Sequence, residues 1–159
     1  MVYIDLDGVL ADLSGWITKI DPKGLSEQEV FFRIARDYNR EIFLDSEAIR
    51  FNFRLLYGDY RILSALPNEP EFIRYGIKAG YNPVELSKMF LRFYRNKMLW
   101  CREHGIPESR IILVPTRKHK FMYCRCADLL YDDDPDTIAE WNKSGGVGVL
   151  VESKEYTGA

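Results

Sequence analysis

The chain has 159 residues, of which 47% are hydrophobic and 29% are charged, and its formal net charge is -2. This length and composition are typical of one globular domain with a core of normal size. The slightly acidic balance argues against a protein that binds nucleic acid polymers, because such proteins normally carry a basic face.

The first predicted element is a buried strand, indicated by the β-branched and aromatic run Val2-Tyr3-Ile4. Asp5 and Asp7 follow this strand directly, and Gly8 indicates a turn. Side chains two positions apart in an extended segment point to the same face. Both carboxylates are therefore expected to point into one cleft.

Residues 15–59 predict a small helical insertion that takes no part in a sheet. Ser26 and Glu29 form a capping box ahead of apolar residues at helical spacing. A second helical pattern begins after residues 45–46 and ends at Gly58. We expect this insertion to be a cap over a catalytic core formed by residues 1–14 and 60–159.

The predicted cap is rich in aromatic side chains. They are Trp16, Phe31, Phe32, Tyr38, Phe43, Phe51, Phe53 and Tyr57. A cap over a cleft excludes water and selects the leaving group, and the rings as a group suggest the hypothesis of stacking on a nucleobase. For any single ring, packing in the core is the more ordinary role.

Strands and helices alternate after the insertion. Strands are predicted at 61–65, 111–114, 129–131 and 147–151, and helices are predicted to begin at Pro83 and Pro135. Such alternation indicates right-handed crossovers and a parallel sheet covered on both faces. The predicted fold class is α/β, a Rossmann-like three-layer α/β/α core with a mainly parallel sheet and a small helical cap inserted after the first strand.

Polar or charged side chains follow the carboxyl ends of the core strands, where ligands bind in sheets of this kind. They are Asp5, Asp7, Ser64, Lys118, Lys120, Asp132, Asp133 and Asp134. Two carboxylates about 4 Å apart repel by roughly 4 kcal/mol at an effective dielectric near 20. A hard divalent cation with oxygen ligands offsets that repulsion, so the cluster predicts a Mg²⁺ site.

These residues resemble the four motifs of the haloacid-dehalogenase superfamily. Asp5-Leu6-Asp7-Gly8-Val9 resembles the first motif, Ser64 the second, Lys118 or Lys120 the third, and Asp132-Asp133 the fourth. They occur in the family's order and span residues 5–133. The resemblance implies an enzyme, a Mg²⁺-dependent phosphomonoester hydrolase that acts through an aspartyl-phosphate.

The resemblance also implies a role for each matching residue. Asp5 would attack phosphorus, and Asp7 would protonate the leaving oxygen and then activate water. The implied phosphate-binding residues are Ser64, Ala65, Lys118 and Lys120. The implied Mg²⁺ ligands are Asp5, Asp7 (through its main-chain carbonyl), Asp132 and Asp133.

Within the superfamily, the chain most resembles the deoxyribonucleotidase-like branch. The similar stretches are 5–12, 62–67, 132–135 and 138–142, followed by Gly145-Gly146. Lys120-Phe121-Met122-Tyr123 is closer than Lys118 to the K-x-x-Y pattern of this branch, so Lys120 is the preferred lysine and Lys118 the alternative. The resemblance implies a 5′-nucleotidase acting on nucleoside or deoxynucleoside monophosphates.

Several alternatives stay open. The substrate could instead be another small phosphate such as a sugar phosphate, or the chain could be a non-catalytic, metal-binding regulatory module. Asp134 precedes Pro135 and is expected to cap the following helix. Asp12 either caps a helix or orients the catalytic loop. His104 and His119 lack the partners of a nucleophile and base arrangement.

The cysteine content bears on the cellular compartment. The three cysteines, Cys101, Cys124 and Cys126, do not make a disulfide framework, which favours a reducing, cytosolic environment. The chain shows no signal peptide and no run of ~20 apolar residues. The expected partner is a small phosphorylated molecule, with neither a nucleic acid polymer nor a membrane.

Overall fold

The computed structural model describes residues 1–20, 29–32, 44 and 46–152. The strands are β1 (Val2–Ile4), β2 (Ala11–Asp12), β3 (Glu47–Ala48), β4 (Tyr60–Ala65), β5 (Ile111–Val114), β6 (Leu129–Asp132) and β7 (Val147–Leu150). The helices are α1 (Leu13–Ile20), α2 (Glu69–Lys78), α3 (Pro83–Glu103) and α4 (Pro135–Lys143), with 3-10 segments at Arg50–Leu55, Glu108–Arg110 and Arg117–Tyr123. Residues 29–32 are also helical.

A parallel sheet of five strands, in the order β5-β4-β1-β6-β7, forms the middle layer. Ile4 and Ile62 pack on one face of the sheet against Trp100 of α3. Tyr3 lies on the other face, where its ring contacts Trp141 of α4 edge-on at 5.4 Å between ring centroids. The alternation along β1 therefore buries both faces, and the predicted Rossmann-like α/β class is confirmed.

The strand order places β1 at the centre, with β4 on one side and β6 on the other. The chain leaves β1, builds the β4 and β5 half of the sheet, and then crosses over to build β6 and β7. This is the reversal in strand order at which open α/β sheets bind ligands. The residues that follow β1, β4 and β6 therefore meet at one edge.

The insertion departs from the purely helical prediction. Ala11 of β2 pairs with Ala48 of β3 in an antiparallel two-stranded sheet, and the Ile49 amide continues this pairing by donating to the Leu10 carbonyl at 2.7 Å. The expected α-helix after residue 46 is instead a 3-10 segment, Arg50–Leu55, because extended pairing occupies the residues before it. Asn52 is buried and donates to the Val9 carbonyl at 2.7 Å, which ties this segment to the loop after β1.

Helix α2 was missing from the sequence prediction. The Asn68 side chain caps it by accepting from the Glu71 amide at 3.2 Å, and Pro70 lies in its first turn. This is the same Asn and Pro signal that correctly predicted α3, where Asn82 accepts from the Glu85 amide at 2.9 Å. The β1, β4, β5, β6, β7 and α4 predictions agree with the structure within a residue or two.

Part of the insertion packs on α2 and α3. Phe31 and Phe32 are buried against Phe72 of α2 and Phe93 of α3. The division into a cap at 15–59 and a core at 1–14 and 60–159 stays a prediction. Ser26 of the expected capping box, together with Tyr38, Phe43 and Asp45, lies outside the described residues. Among the described helices, none has the length and apolar character needed to cross a bilayer.

Candidate active site

The centre of the candidate site is a buried lysine held between two aspartates. Lys120 Nζ donates to Asp5 Oδ1 at 2.8 Å and to Asp132 Oδ2 at 2.7 Å. All three side chains are at most 8% exposed. Asp5 directly follows β1, Asp132 ends β6, and Lys120 lies in the 3-10 segment after β5.

A third carboxylate completes an acidic cluster beside this lysine. One carboxylate oxygen from each of Asp5, Asp132 and Asp133 lies within 4.8 Å of the others. Gly8 makes the approach of Asp133 possible, because a Cβ at this position would overlap the Asp133 carboxylate. Gly8 also has φ = +83°, a conformation that favours glycine. Three carboxylates facing one ammonium leave an excess of negative charge that a cation can offset.

The electrostatics of the cluster favour bound protons when no cation is present. Burial raises the pKa of Asp132 to about 6, and the neighbouring Asp5 charge adds to the shift. The pKa of Asp133 is also raised, by partial desolvation and then by the charges of Asp5 and Asp132, although its side chain stays exposed to the cleft. Burial lowers the pKa of Lys120, but the carboxylates of Asp5 and Asp132 raise it by more, so it is held above its ordinary value.

A second lysine, which sequence reasoning missed, contacts Asp7. Lys97 Nζ donates to Asp7 Oδ2 at 2.6 Å, to Ser64 Oγ at 2.9 Å and to the Ala65 carbonyl. Lys97 is 1% exposed and Asp7 is 22% exposed. Burial raises the pKa of Asp7, and Lys97 opposes that rise. The two aspartates of the first motif therefore line the same cleft, as expected, but each is held by a different lysine.

Lys118 and Lys120, the two candidates for the third-motif lysine, differ in their burial. Lys118 is exposed at the rim of the cleft, whereas Lys120 is buried at its centre. Ala65 lines the cleft, and its carbonyl accepts from Lys97; its role in binding phosphate stays a prediction. The Asp7 side chain is not part of the acidic cluster. The resemblance assigns the main-chain carbonyl of Asp7 as a metal ligand, and that assignment also stays a prediction.

Two neighbouring aspartates have structural roles. Asp134 caps α4, as predicted, and also accepts from the Thr137 hydroxyl at 2.6 Å. Asp12 accepts from the Gly15 amide at 2.9 Å, which is the bond expected of a cap for α1. The histidines lie outside the acidic cluster: His104 stacks on Trp100 at 3.8 Å between ring centroids, and His119 contacts the Thr116 hydroxyl.

The cleft has a volume of about 380 Å³, within the range typical of small-molecule sites. Among the described aromatic residues of the insertion, Phe31 is the one whose side chain lines it. Phe32 and Phe53 pack in the core, and Phe51 and Tyr57 are exposed on the surface. The Trp16 side chain, Tyr38 and Phe43 lie outside the description. Among the described aromatic residues of the insertion, Phe31 is therefore the candidate for stacking on a nucleobase.

Comparison with known proteins yields no assignment. No family model matches the chain, and no curated protein matches it.

Proposed function

We propose that this protein is a Mg²⁺-dependent phosphomonoester hydrolase of the haloacid-dehalogenase type, with Asp5 as its nucleophile. The observation that carries the proposal is the Lys120 ammonium between the carboxylates of Asp5 and Asp132, at 2.8 and 2.7 Å. It brings residues of three of the resembling motifs together at one edge of the sheet. A cap or turn role for these residues would not require them to converge.

The acidic cluster fits Mg²⁺ by the chemistry of its donors. Magnesium prefers hard oxygen ligands and takes one or two protein carboxylates, with water and substrate oxygens completing its shell. Asp5, Asp132 and Asp133 would hold it. When bound, the ion would offset the charge of the carboxylates and of the phosphoryl group.

The first half of the reaction transfers the phosphoryl group to Asp5. A carboxylate oxygen of Asp5 forms a bond to phosphorus while the bond from phosphorus to the leaving oxygen breaks. The leaving oxygen takes a proton from Asp7, so the leaving group departs as an alcohol. By the resemblance, Lys120, which contacts Asp5 at 2.8 Å, and the Ser64 hydroxyl would donate to phosphoryl oxygens.

The second half releases phosphate. Water attacks the phosphorus of the aspartyl-phosphate, and Asp7 accepts the proton of that water. The bond between phosphorus and Asp5 breaks, which releases inorganic phosphate and restores both side chains to their starting states. Burial of Asp7 favours its protonated form before the first step, because desolvation raises its pKa.

The proposed substrates are nucleoside or deoxynucleoside monophosphates. The support is the resemblance of residues 5–12, 62–67 and 132–142 to the deoxyribonucleotidase-like branch and the presence of Phe31 in the cleft. The cleft of about 380 Å³ lies within the range of small-molecule sites. Sugar phosphates have the same reacting group, so a substrate panel must separate the two classes.

The test is phosphate release with Mg²⁺, and then with a chelator, from nucleoside monophosphates, sugar phosphates and 4-nitrophenyl phosphate. Asp5→Asn removes the nucleophile and should lower kcat/KM at least about a thousandfold. Asp59→Asn is the matched control, because Asp59 is 73% exposed and precedes β4, at the opposite edge of the sheet. It should leave the rate unchanged.

Each outcome bears on a separate part of the proposal. Turnover that persists in Asp5→Asn would reject Asp5 as the nucleophile. Sugar phosphates that turn over faster than nucleotides would reject the nucleotidase assignment and keep the chemistry. No release from any ester by folded protein would favour a non-catalytic, metal-binding module.

A further inference from the structure

Lys97 is a buried charge that the proposed reaction does not use. It lies on the inner face of α3, in line with Leu86, Phe90, Phe93 and Trp100, all of which are buried. Burying an ammonium is costly, and replacing a buried ion pair by apolar residues is often neutral or stabilising. A lysine at this position therefore calls for a reason other than holding α3 to the sheet.

The contacts of Lys97 point to that reason. An ammonium has three N–H donors, and its acceptors among the described residues include Asp7 Oδ2 at 2.6 Å, Ser64 Oγ at 2.9 Å and the Ala65 carbonyl. Asp7 and Ser64 are side chains to which the proposed function gives a role. Ala65 is the last residue of β4, so the bond to its carbonyl holds the Lys97 ammonium at the end of this strand.

The bond to Asp7 determines which of its oxygens can carry a proton. An oxygen that accepts from an ammonium at 2.6 Å is a poor site for a proton, because the two hydrogens would face each other. A proton on Asp7 is therefore placed on Oδ1. Asp7 is 22% exposed and lines the cleft, so this proton is available to a bound ester.

The bond to Ser64 holds the ammonium in place. Lys97 donates to the Ser64 hydroxyl oxygen at 2.9 Å. Ser64 is fully buried and is not among the residues that line the cleft, so this contact anchors Lys97 behind Asp7.

We propose that Lys97 is a positioning residue that places the acid proton of Asp7 on Oδ1. This inference rests on the proposed function. In the first step, the bond from phosphorus to the leaving oxygen breaks as the bond from Asp5 forms, and the leaving oxygen takes the proton from Asp7 Oδ1. Lys97 keeps its own protons throughout.

The test compares leaving groups that differ in their need for a proton. An alkoxide, as from a nucleoside 5′-monophosphate, needs one, whereas 4-nitrophenolate leaves without it. Lys97→Met keeps the length of the side chain and removes its donors. We expect it to lower kcat/KM for the alkyl ester at least about tenfold more than for the aryl ester, since general acid catalysis contributes about 10²–10⁴-fold.

A double-mutant cycle shows whether Lys97 acts through Asp7. Asp7→Asn alone should produce the same selective loss on the alkyl ester, and adding Lys97→Met to it should cost less than about threefold more. Lys88→Met is the matched control, because Lys88 is exposed on the same helix. It should leave both rates unchanged.

Losses by Lys97→Met that are equal for the two esters would overturn the inference and leave the proposed function standing. If Lys97→Met does not fold, Lys97→Leu, which also lacks N–H donors, must show the same selective loss or the inference fails. Absence of hydrolysis by the unaltered chain, or full activity in Asp5→Asn, would instead overturn the proposed function and this inference with it.

Discussion

Lys120 Nζ lies 2.8 Å from Asp5 Oδ1, although 115 positions separate the two residues in the sequence. The same ammonium reaches Asp132 at 2.7 Å, so a single lysine joins the ends of β1 and β6. Both ion pairs are buried, which makes their loss costly in stability as well as in chemistry.

Lys120→Met should therefore weaken both folding and catalysis. Breaking a buried ion pair by removing one partner costs about 3–5 kcal/mol, and losing a preorganised donor costs about 10²–10³-fold in kcat. Urea unfolding in chelator and phosphate release in Mg²⁺ measure the two effects. Lys118→Met is the matched control: Lys118 is exposed, so its loss should change stability by less than about 0.5 kcal/mol. If Lys118→Met lowered kcat more than Lys120→Met, Lys118 would be the proposed third-motif lysine instead of Lys120.

The convergence of these residues was predictable because it follows from the order of the strands. Asp5, Ser64 and Asp132 lie at or next to the carboxyl ends of strands in a parallel sheet, and these ends share one edge. The preference for Lys120 over Lys118 rests on a resemblance and stays a prediction; in the structure Lys120 is buried and Lys118 is exposed. Spacing alone could not separate two lysines two positions apart in a loop.

Lys97 escaped prediction although the sequence contains a signal for it. The buried positions of α3 include Leu86, Phe90, Phe93 and Trp100, and Lys97 occupies the place between the last two. A lysine on the apolar face of a helix must find buried acceptors, yet which acceptors depends on tertiary contacts with β1 and β4. The short β2 and β3 pairing escaped for a similar reason, since two-residue strands carry no periodic pattern.

Gly8 should be required for the acidic cluster. In Gly8→Ala, the added methyl group would overlap the Asp133 carboxylate and displace it. We expect the affinity for Mg²⁺ to fall at least about tenfold, in line with the losses seen when the supports of metal ligands are altered. Isothermal titration with Mg²⁺ measures this change.

The control for Gly8→Ala is an alanine variant at a glycine with the same backbone conformation but with no neighbour that the added methyl group would overlap. Gly105 has φ = +79°, close to the +83° of Gly8, and a Cβ there would meet nothing within 4 Å. Both alanine variants should lose about 1–2 kcal/mol of stability to the left-handed conformation. Equal loss of Mg²⁺ affinity in both would mean that strain, and not contact with Asp133, is the cause.

The stabilisation of the protein by Mg²⁺ should grow with pH. The pKa of Asp132 is raised from 3.8 to about 6 in the folded, metal-free protein, so the folded state binds this proton more tightly than the unfolded chain. Its contribution to stability is complete below about pH 4 and is lost as the pH rises through about 6. Asp133 and Asp7 shift in the same direction.

Mg²⁺ must displace those protons to bind, so binding weakens as the pH falls. The increase in Tm caused by Mg²⁺ over chelator should therefore be larger at about pH 7.5 than at about pH 5. Asp132→Asn removes the titrating group at this position and should reduce the dependence. If Mg²⁺ raised Tm by the same amount at both pH values, the acidic cluster would not be protonated in the metal-free state.

Phe31 should contribute to the choice of substrate if a nucleobase stacks on it. Its ring lines the cleft and packs edge-on against Phe93 at 5.7 Å between ring centroids. Phe31→Leu keeps an apolar side chain and removes the aromatic face, so KM for nucleoside monophosphates should rise about 2- to 10-fold, as expected for an aromatic contact of about 0.5–1.5 kcal/mol. KM for ribose 5-phosphate, which has no base, should stay within about twofold of its unaltered value on the same grounds.

Phe32→Leu is the control, because Phe32 is buried beside Phe72 and does not line the cleft. A parallel rise in KM for both substrates in Phe31→Leu, or the same rise in Phe32→Leu, would assign Phe31 to packing and remove the structural support for nucleobase recognition.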